Sequence, residues 1–433
     1  MGVSFWRGTG VAVALCACGG ADAQRTANPP APPSATAAAS SAPASSDRAP
    51  APAAPPALDF VVATKREATE PRKSYAITLG AGITVEAEST SEPKVTTGQS
   101  SDGHAYASFP LTFAKEAGEL GCIYRAGAMD FGATLEQVLT ASLSKNANVK
   151  LKSADFTLDT VERTALPTWI AYYEMSNAGK KTLGTFSFSA FRLGLDGTMV
   201  CLFDGVGFRM SVASMVRHMA KTARPKPLEQ ALYWELHKES VERTPVGYSE
   251  RWYVPSPQGF TWTELMSLYA IKVGGVQFRI DTGASGTVDR EGRVLTAREA
   301  VEATGELSYL EELERAGQGV FRYSIKRGAA VDAGTVKGEL TSELSDREAL
   351  RKLLAGSTAD LTVTSFRSKP PAIAAVHVTR DAPGSGTVLF DDGGSAPTKC
   401  ELDAEGRCRV RSTGDLTSEL VTSAGSYPRV KRK

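Results

Sequence analysis

Between Thr26 and Ala57, 29 of 32 residues are Ala, Pro, Ser or Thr, nine of them Pro. Such a stretch has almost no apolar side chain to bury, and its prolines bias it towards extended polyproline conformation. It cannot contribute to a core, so any fold is built from residue 58 onward. At ~3.1 Å per residue it is a tether with an upper reach of roughly 100 Å.

Ahead of the tether, Arg7 is a lone positive charge before the apolar run Val11 to Ala17. That run is far shorter than the ~20 residues a membrane-spanning helix needs. It ends Leu15-Cys16-Ala17-Cys18, which resembles the bacterial lipobox: an aliphatic residue, a spacer, a small residue, and the cysteine that becomes the lipidated N-terminus. The resemblance implies lipidation at Cys18, because acylation at Cys16 would put Leu15 where a small residue is needed. It also implies outer-membrane sorting, since Gly19 stands where an aspartate would retain the protein elsewhere. A simple secretory signal cut after Ala21-Asp22-Ala23 is the alternative, and it would release a soluble protein. Residues 1–18 are thus expected to be an export signal and 19–57 a disordered tether in a protein of the cell envelope. No later stretch offers 18 consecutive apolar residues.

The remainder has a globular composition, and 49 Lys and Arg against 48 Asp and Glu leave a net charge of +1. No global field recruits nucleic acid, so no nucleic-acid partner is expected. His104, His218, His237 and His377 form no H-x-x-x-H pair, and there is no C-x-x-C, P-loop or dinucleotide fingerprint. No metal or cofactor is expected. The expected partners are the membrane, through the lipid anchor, and an envelope protein or cell-wall polymer. The tail Arg429-Val430-Lys431-Arg432-Lys433 has four basic residues in five; it reads as a solvated end, or as a contact with anionic lipid or cell-wall polymer.

Outside the signal, Cys122, Cys201, Cys400 and Cys408 would meet an oxidising compartment, where disulfides persist. Three pairings are possible. Cys400 and Cys408 flank the hairpin-like turn Asp403-Ala404-Glu405-Gly406, which sets them on one face of two strands, while Cys122 and Cys201 each sit mid-strand in one region. Those two pairs are expected; buried free thiols are the alternative.

The expected fold class is α+β. Residues 58–224 read as a first domain with a helix at 134–145, strands at 149–158, 168–175, 183–193 and 198–204, and a closing helix at 211–222. Val212, Met215, Val216 and Met219 give that last helix one apolar stripe, which reads as core. This order resembles the PsbP-like α/β/α sandwich, an antiparallel sheet with covering helices in a mostly non-catalytic family. Residues 228–370 read as a second α+β domain, with strands at 250–254, 264–273, 276–281 and 293–297 and helices at 309–316 and 346–354. Ser308 with Glu311, and Ser345 with Glu348, are the expected capping boxes. Residues 228–238 fit a helix or a strand equally. After Lys369-Pro370-Pro371, residues 371–433 read as a small β module resembling the prealbumin-like β-sandwiches attached to carboxypeptidases and surface proteins. The turn D-x-E-G-R occurs at Asp289 to Arg293 and again at Asp403 to Arg407. Shared hairpin chemistry explains it, with Asp opening the turn and Gly taking the left-handed position.

One stretch points to chemistry. Ile280-Asp281-Thr282-Gly283-Ala284-Ser285 resembles the active-site loop of retropepsin-like aspartic peptidases. That chemistry needs two carboxylates sharing one proton, one activating water and the other protonating the scissile carbonyl. Asp281 is half of such a site, and Asp391 of Phe390-Asp391-Asp392-Gly393 is the nearest candidate for the other half. No G-x-S-x-G marks a serine nucleophile. The expectation is a lipid-anchored envelope protein with a non-catalytic binding or structural role, and an aspartic endopeptidase is the alternative.

Overall fold

The computed structural model describes residues 60–79, 82–96, 105–113, 116–126, 131–132, 134–135, 148–177, 179–194, 197–271, 277–303, 309–356, 358, 360–393 and 397–430. Cys18, the tether, nearly all of the helix expected at 134–145 and the last three basic residues lie outside them.

The first region begins with a single helical turn, α1 (Phe60–Ala63), and a hairpin of β1 (Lys73–Thr78) and β2 (Thr84–Ser89). Its main sheet is built from β3 (Lys94–Thr96), β4 (Ala105–Phe113), β5 (Glu116–Ala126), β6 (Val149–Val161), β7 (Thr164–Asn177), β8 (Lys180–Leu193) and β9 (Gly197–Asp204), and α2 (Arg209–Thr222) follows. The strand order is β3-β4-β5-β9-β8-β7-β6, antiparallel throughout. The expected apolar stripe of α2 is buried, and it packs with the β1–β2 hairpin on one face of the sheet. The helix start is capped from a distance: Glu67 accepts from the Met210 and Ser211 amides at 2.8 and 2.7 Å. A carboxylate there satisfies amides that have no partner within the helix and meets the positive end of its dipole.

The remaining strands form one rolled sheet. In chain order they are β10 (Tyr233–Val241), β11 (Thr244–Pro255), β12 (Gly259–Ile271), β13 (Gln277–Asp289), β14 (Val294–Ala303), β15 (Tyr309–Gly317), β16 (Val320–Arg327), β17 (Ala330–Lys337), β18 (Asp360–Ser368), β19 (Pro371–Arg380), β20 (Thr387–Asp391), β21 (Thr398–Leu402), β22 (Cys408–Thr413) and β23 (Leu416–Gly425). The order runs β17 to β10, then β23 back to β18, every neighbour antiparallel, with the closing β10–β23 pair joining the first and last strands. The sheet curls until its ends approach. Tyr323 of β16 and Phe366 of β18 have ring centroids 5.9 Å apart, and Thr341 exchanges hydrogen bonds with Thr364. The helix α3 (Glu343–Leu354) fills the roll, with Leu344 in the core of one half and Leu350 and Leu353 in that of the other.

The α+β expectation is therefore corrected: the described residues are 65% strand, in two large antiparallel sheets. The clearest error is the helix expected at 309–316, which is strand β15. Its leucines and glutamates suit a helix locally, but Glu311 and Leu313 point inward and Glu312 and Glu314 outward, a period of two set by pairing with β14 and β16. Tertiary pairing overrides a weak local preference. The expected helix at 346–354 is present but starts three residues earlier, because the capping box is Ser342 with Ser345. Residues 233–241 are strand, with Trp234 and Leu236 fully buried. Lys369 and Pro370, expected to precede a separate module, form the turn of the β18–β19 hairpin.

Both expected disulfides are formed, Cys122–Cys201 and Cys400–Cys408. Cys122 of β5 lies directly opposite Cys201 of β9 in the ladder. The two D-x-E-G-R turns are alike in detail. Asp289 and Asp403 each accept from the amides two and four residues on and from the following arginine Nε. Gly292 and Gly406 take φ of 82° and 74°, a region only glycine enters cheaply. Both turns hold α3: Ser342 donates to the Gly292 carbonyl, and Arg347 Nε donates to the Glu405 carbonyl at 2.9 Å.

Candidate functional site

The Asp281 motif is not a loop. β13 runs unbroken to Asp289, and Gly286 is a packing position: a Cβ there would lie 2.3 Å from the Thr296 carbonyl and 2.9 Å from the Trp262 ring. Asp281 sits on the outer face of the roll, where the first region covers it. Ser267 Oγ donates to Oδ1 at 2.6 Å, the Gly132 amide donates to the same oxygen at 3.1 Å, and Arg279 Nη1 donates to Oδ2 at 3.0 Å. Arg279 also binds Glu302 through Nη2 at 2.6 Å. Gly132 is needed here, since a Cβ would fall 3.0 Å from the Asp281 carboxylate. Burial pushes the Asp281 carboxyl above its ordinary value, against the hydrogen bonds from Ser267, Arg279 and Gly132 that favour its ionised form.

Asp391 is exposed at the end of β20, capping the Gly393 amide at 2.8 Å. In the sheet order six strands separate it from β13. The structure does not bring the two aspartates together. Asp281 is 3% exposed, so a second copy of the chain cannot present its own Asp281 to this one either.

The seam around Asp281 continues to Glu250, on the same outer face. Its carboxylate accepts from the Ala165 amide at 3.1 Å and from Arg192 Nη2 and Nε at 3.0 and 3.3 Å. Arg192 also lies over the Trp252 ring, 4.6 Å from its centroid. Phe131, Trp169, Tyr248 and Trp252 form the apolar part of this seam. β11 is thereby buried on both faces, which is why its sequence lacks a simple polar–apolar alternation.

Inside the roll, the opposite face of the same strands carries a buried polar cluster beside the apolar core. Arg251 meets three carboxylates: Glu235 at 3.5 Å, Glu264 and Glu343, the first residue of α3. Tyr233 donates to Glu235 and Tyr253 to Glu343, each at 2.8 Å. The three carboxylates around this one guanidinium are shifted in different directions. Burial would raise Glu235, but hydrogen bonding to and charge on His237, with Arg251, hold it down at about 2. Glu264 is likewise held low against burial by Arg251 and Arg411, while burial, with the Glu235 and Glu264 charges beside it, raises Glu343 in spite of Arg251. The cluster anchors α3 to β11 through Glu343.

A cleft of about 880 Å³ opens where α3 meets the C-terminal segment after β23. Tyr427 and Tyr233, whose centroids are 4.8 Å apart, form its aromatic floor. Arg347 stacks 3.6 Å over Tyr427, and its Nε and Nη2 are held by Glu405. Arg351, Lys352, Arg407 and Arg429 complete its cationic lining, with Glu348 and Glu405 the acidic members. Sequence reasoning marked Arg429 through the basic tail but missed the α3 residues. The available signal was the Arg347-Arg351-Lys352 spacing, which puts Arg347 and Arg351 one turn apart on one helix face.

Among known proteins, no family model matches this chain and no curated protein matches it. A crystal structure of a beta-barrel-like protein of domain of unknown function DUF1849 from Brucella abortus is similar at 12% identity, over 45% of this chain and 97% of that chain, with a TM-score of 0.34.

Proposed function

We propose that this chain is a lipid-anchored protein of the cell envelope, acylated at Cys18, that acts as a non-catalytic binding module, with the cleft between α3 and the C-terminal segment as its ligand site. The observation that carries this reading is the sealing of Asp281. Its oxygens accept from Ser267, Gly132 and Arg279 in a covered seam, and the expected second carboxylate, Asp391, stands six strands away in the sheet. The dyad chemistry that the motif suggests has no place to receive a peptide. The cleft, by contrast, is open and of a volume typical of small-ligand sites. The two disulfides support an oxidising, extracytoplasmic setting. Among the described residues no helix is long and apolar enough to cross a membrane.

The test has two arms. Full-length protein is incubated with a mixed peptide library between about pH 3 and 7, beside its Asp281→Asn variant. No cleavage by either is expected, and cleavage lost in the variant sinks the binding reading. Separately, Cys18→Ser should move the protein out of the membrane fraction; retention there counts against the anchor.

A further inference from the structure

The cleft concentrates charge that the chain as a whole does not carry. Five cations, Arg347, Arg351, Lys352, Arg407 and Arg429, face two carboxylates, Glu348 and Glu405, so the lining is net +3 on a chain of net +1. Arg407 is committed to Asp403 and Ser423, and Arg351 lies 3.6 Å from Glu348 with half its side chain exposed. Lys352 and Arg429 are exposed and make no ion pair among the described residues. Arg347 is 6% exposed, and its Nη1 has no hydrogen-bond partner. A buried guanidinium with an unused donor is costly unless something else completes it.

We propose that this cleft binds the phosphate or pyrophosphate group of an anionic ligand. The proposal rests on the binding reading above and gives it a ligand class. Lys352 and Arg429 supply uncommitted charge at the rim, Arg351 supplies a fork that can exchange Glu348 for a better acceptor, and Arg347 lies at the buried end. Tetrahedral oxyanions with several acceptor oxygens match guanidinium forks and ammonium groups better than a single carboxylate does. Tyr427 and Tyr233 leave an aromatic wall for the organic part of the ligand.

Two chemically equivalent sources are separable by experiment. Full-length protein in nonionic detergent is titrated calorimetrically with inorganic pyrophosphate and with short-chain phosphatidylglycerol held below its micelle concentration. Saturable one-to-one binding of at least one probe is expected, weakened tenfold or more in the Lys352→Ala/Arg429→Ala double variant and also in Arg351→Ala. These side chains are exposed, so thermal melting should stay at the wild-type value and exclude misfolding as the cause. Binding of pyrophosphate alone assigns a soluble phosphate ligand, and binding of the lipid in competition with pyrophosphate assigns a headgroup. Absence of saturable binding by both probes, or binding undiminished in the double variant, overturns the proposal. That result is read independently of peptide cleavage and membrane fractionation, which decide the binding reading itself.

Discussion

Arg192 of β8 and Glu250 of β11 form an ion pair at 3.0 Å, both side chains at least 96% buried, that joins the first sheet to the outside of the roll. The pair has local company: the Ala165 amide takes the other carboxylate oxygen, and Trp252 lies under the guanidinium. A buried pair of this kind does more to specify how two layers dock than to stabilise them, because desolvation offsets most of its attraction.

Removing one partner leaves the other charged and unpaired. Glu250→Ala is expected to cost roughly 3–5 kcal/mol, and the double variant Arg192→Met/Glu250→Met much less than the sum of the single changes. Urea unfolding of the four proteins closes the cycle. Simple additivity would show that the pair is not coupled.

Gly283 and Gly286 of β13 should respond differently to an added methyl group. At Gly283 a Cβ finds only Leu265 at 3.6 Å, an ordinary contact, whereas at Gly286 it meets the Thr296 carbonyl and Trp262. Gly283→Ala is expected to cost under about 1 kcal/mol, and Gly286→Ala about 1–3 kcal/mol from overpacking between strands. Thermal unfolding compares them, and equal losses would contradict the packing role given to Gly286.

Disulfide Cys122–Cys201 closes a longer loop than Cys400–Cys408, with sequence separations of 79 and 8. Chain-entropy reasoning gives upper values of about 4.5 and about 2.6 kcal/mol. Paired Cys→Ala replacements, made separately and unfolded in urea, should lose stability in that order. The reverse order would mean that the longer loop is already restrained in the unfolded chain.

The carboxylates around Arg251 titrate in opposite senses. Glu235 has a folded value of about 2 against an ordinary 4.5, so its stabilisation is complete above pH 4.5 and is lost as the pH falls towards 2. Glu343 is raised, so its contribution is present below its ordinary value of 4.5 and is lost as the pH rises through the raised value. Glu235→Gln should therefore flatten the acid limb of stability between pH 4.5 and 2. Glu343→Gln, which resembles the protonated form, should flatten the loss of stability as the pH rises above 4.5. Urea midpoints on both sides of pH 4.5 decide it; an unchanged acid limb in Glu235→Gln would remove Glu235 from the account.

Local chemistry made several elements legible. The Val212-Met215-Val216-Met219 stripe marks α2, the aromatic and β-branched runs mark β6 to β9, and the D-x-E-G-R turns mark the β13–β14 and β21–β22 hairpins. Each of these signals lies within a single helix, strand or hairpin. β15 was misread for the converse reason. Its Leu- and Glu-rich run satisfies helical spacing as well as strand alternation, and only the flanking strands choose between them.

Which four cysteines could pair, where the D-x-E-G-R hairpins turn and which face of α2 is apolar could be read without the fold, because those depend on residues near one another in the chain or on composition. The tertiary structure alone decided that residues 233–425 close into one sheet through β10 and β23. It also decided that Asp281 is enclosed between Ser267, Gly132 and Arg279, and that Arg347 and Tyr427 meet at the buried end of a cationic cleft. For Asp281 two of the three partners, Ser267 and Gly132, lie 14 and 149 positions away. A side chain's sequence neighbours carry no record of such distant pairings, because strand pairing and layer docking select them only when the whole sheet forms.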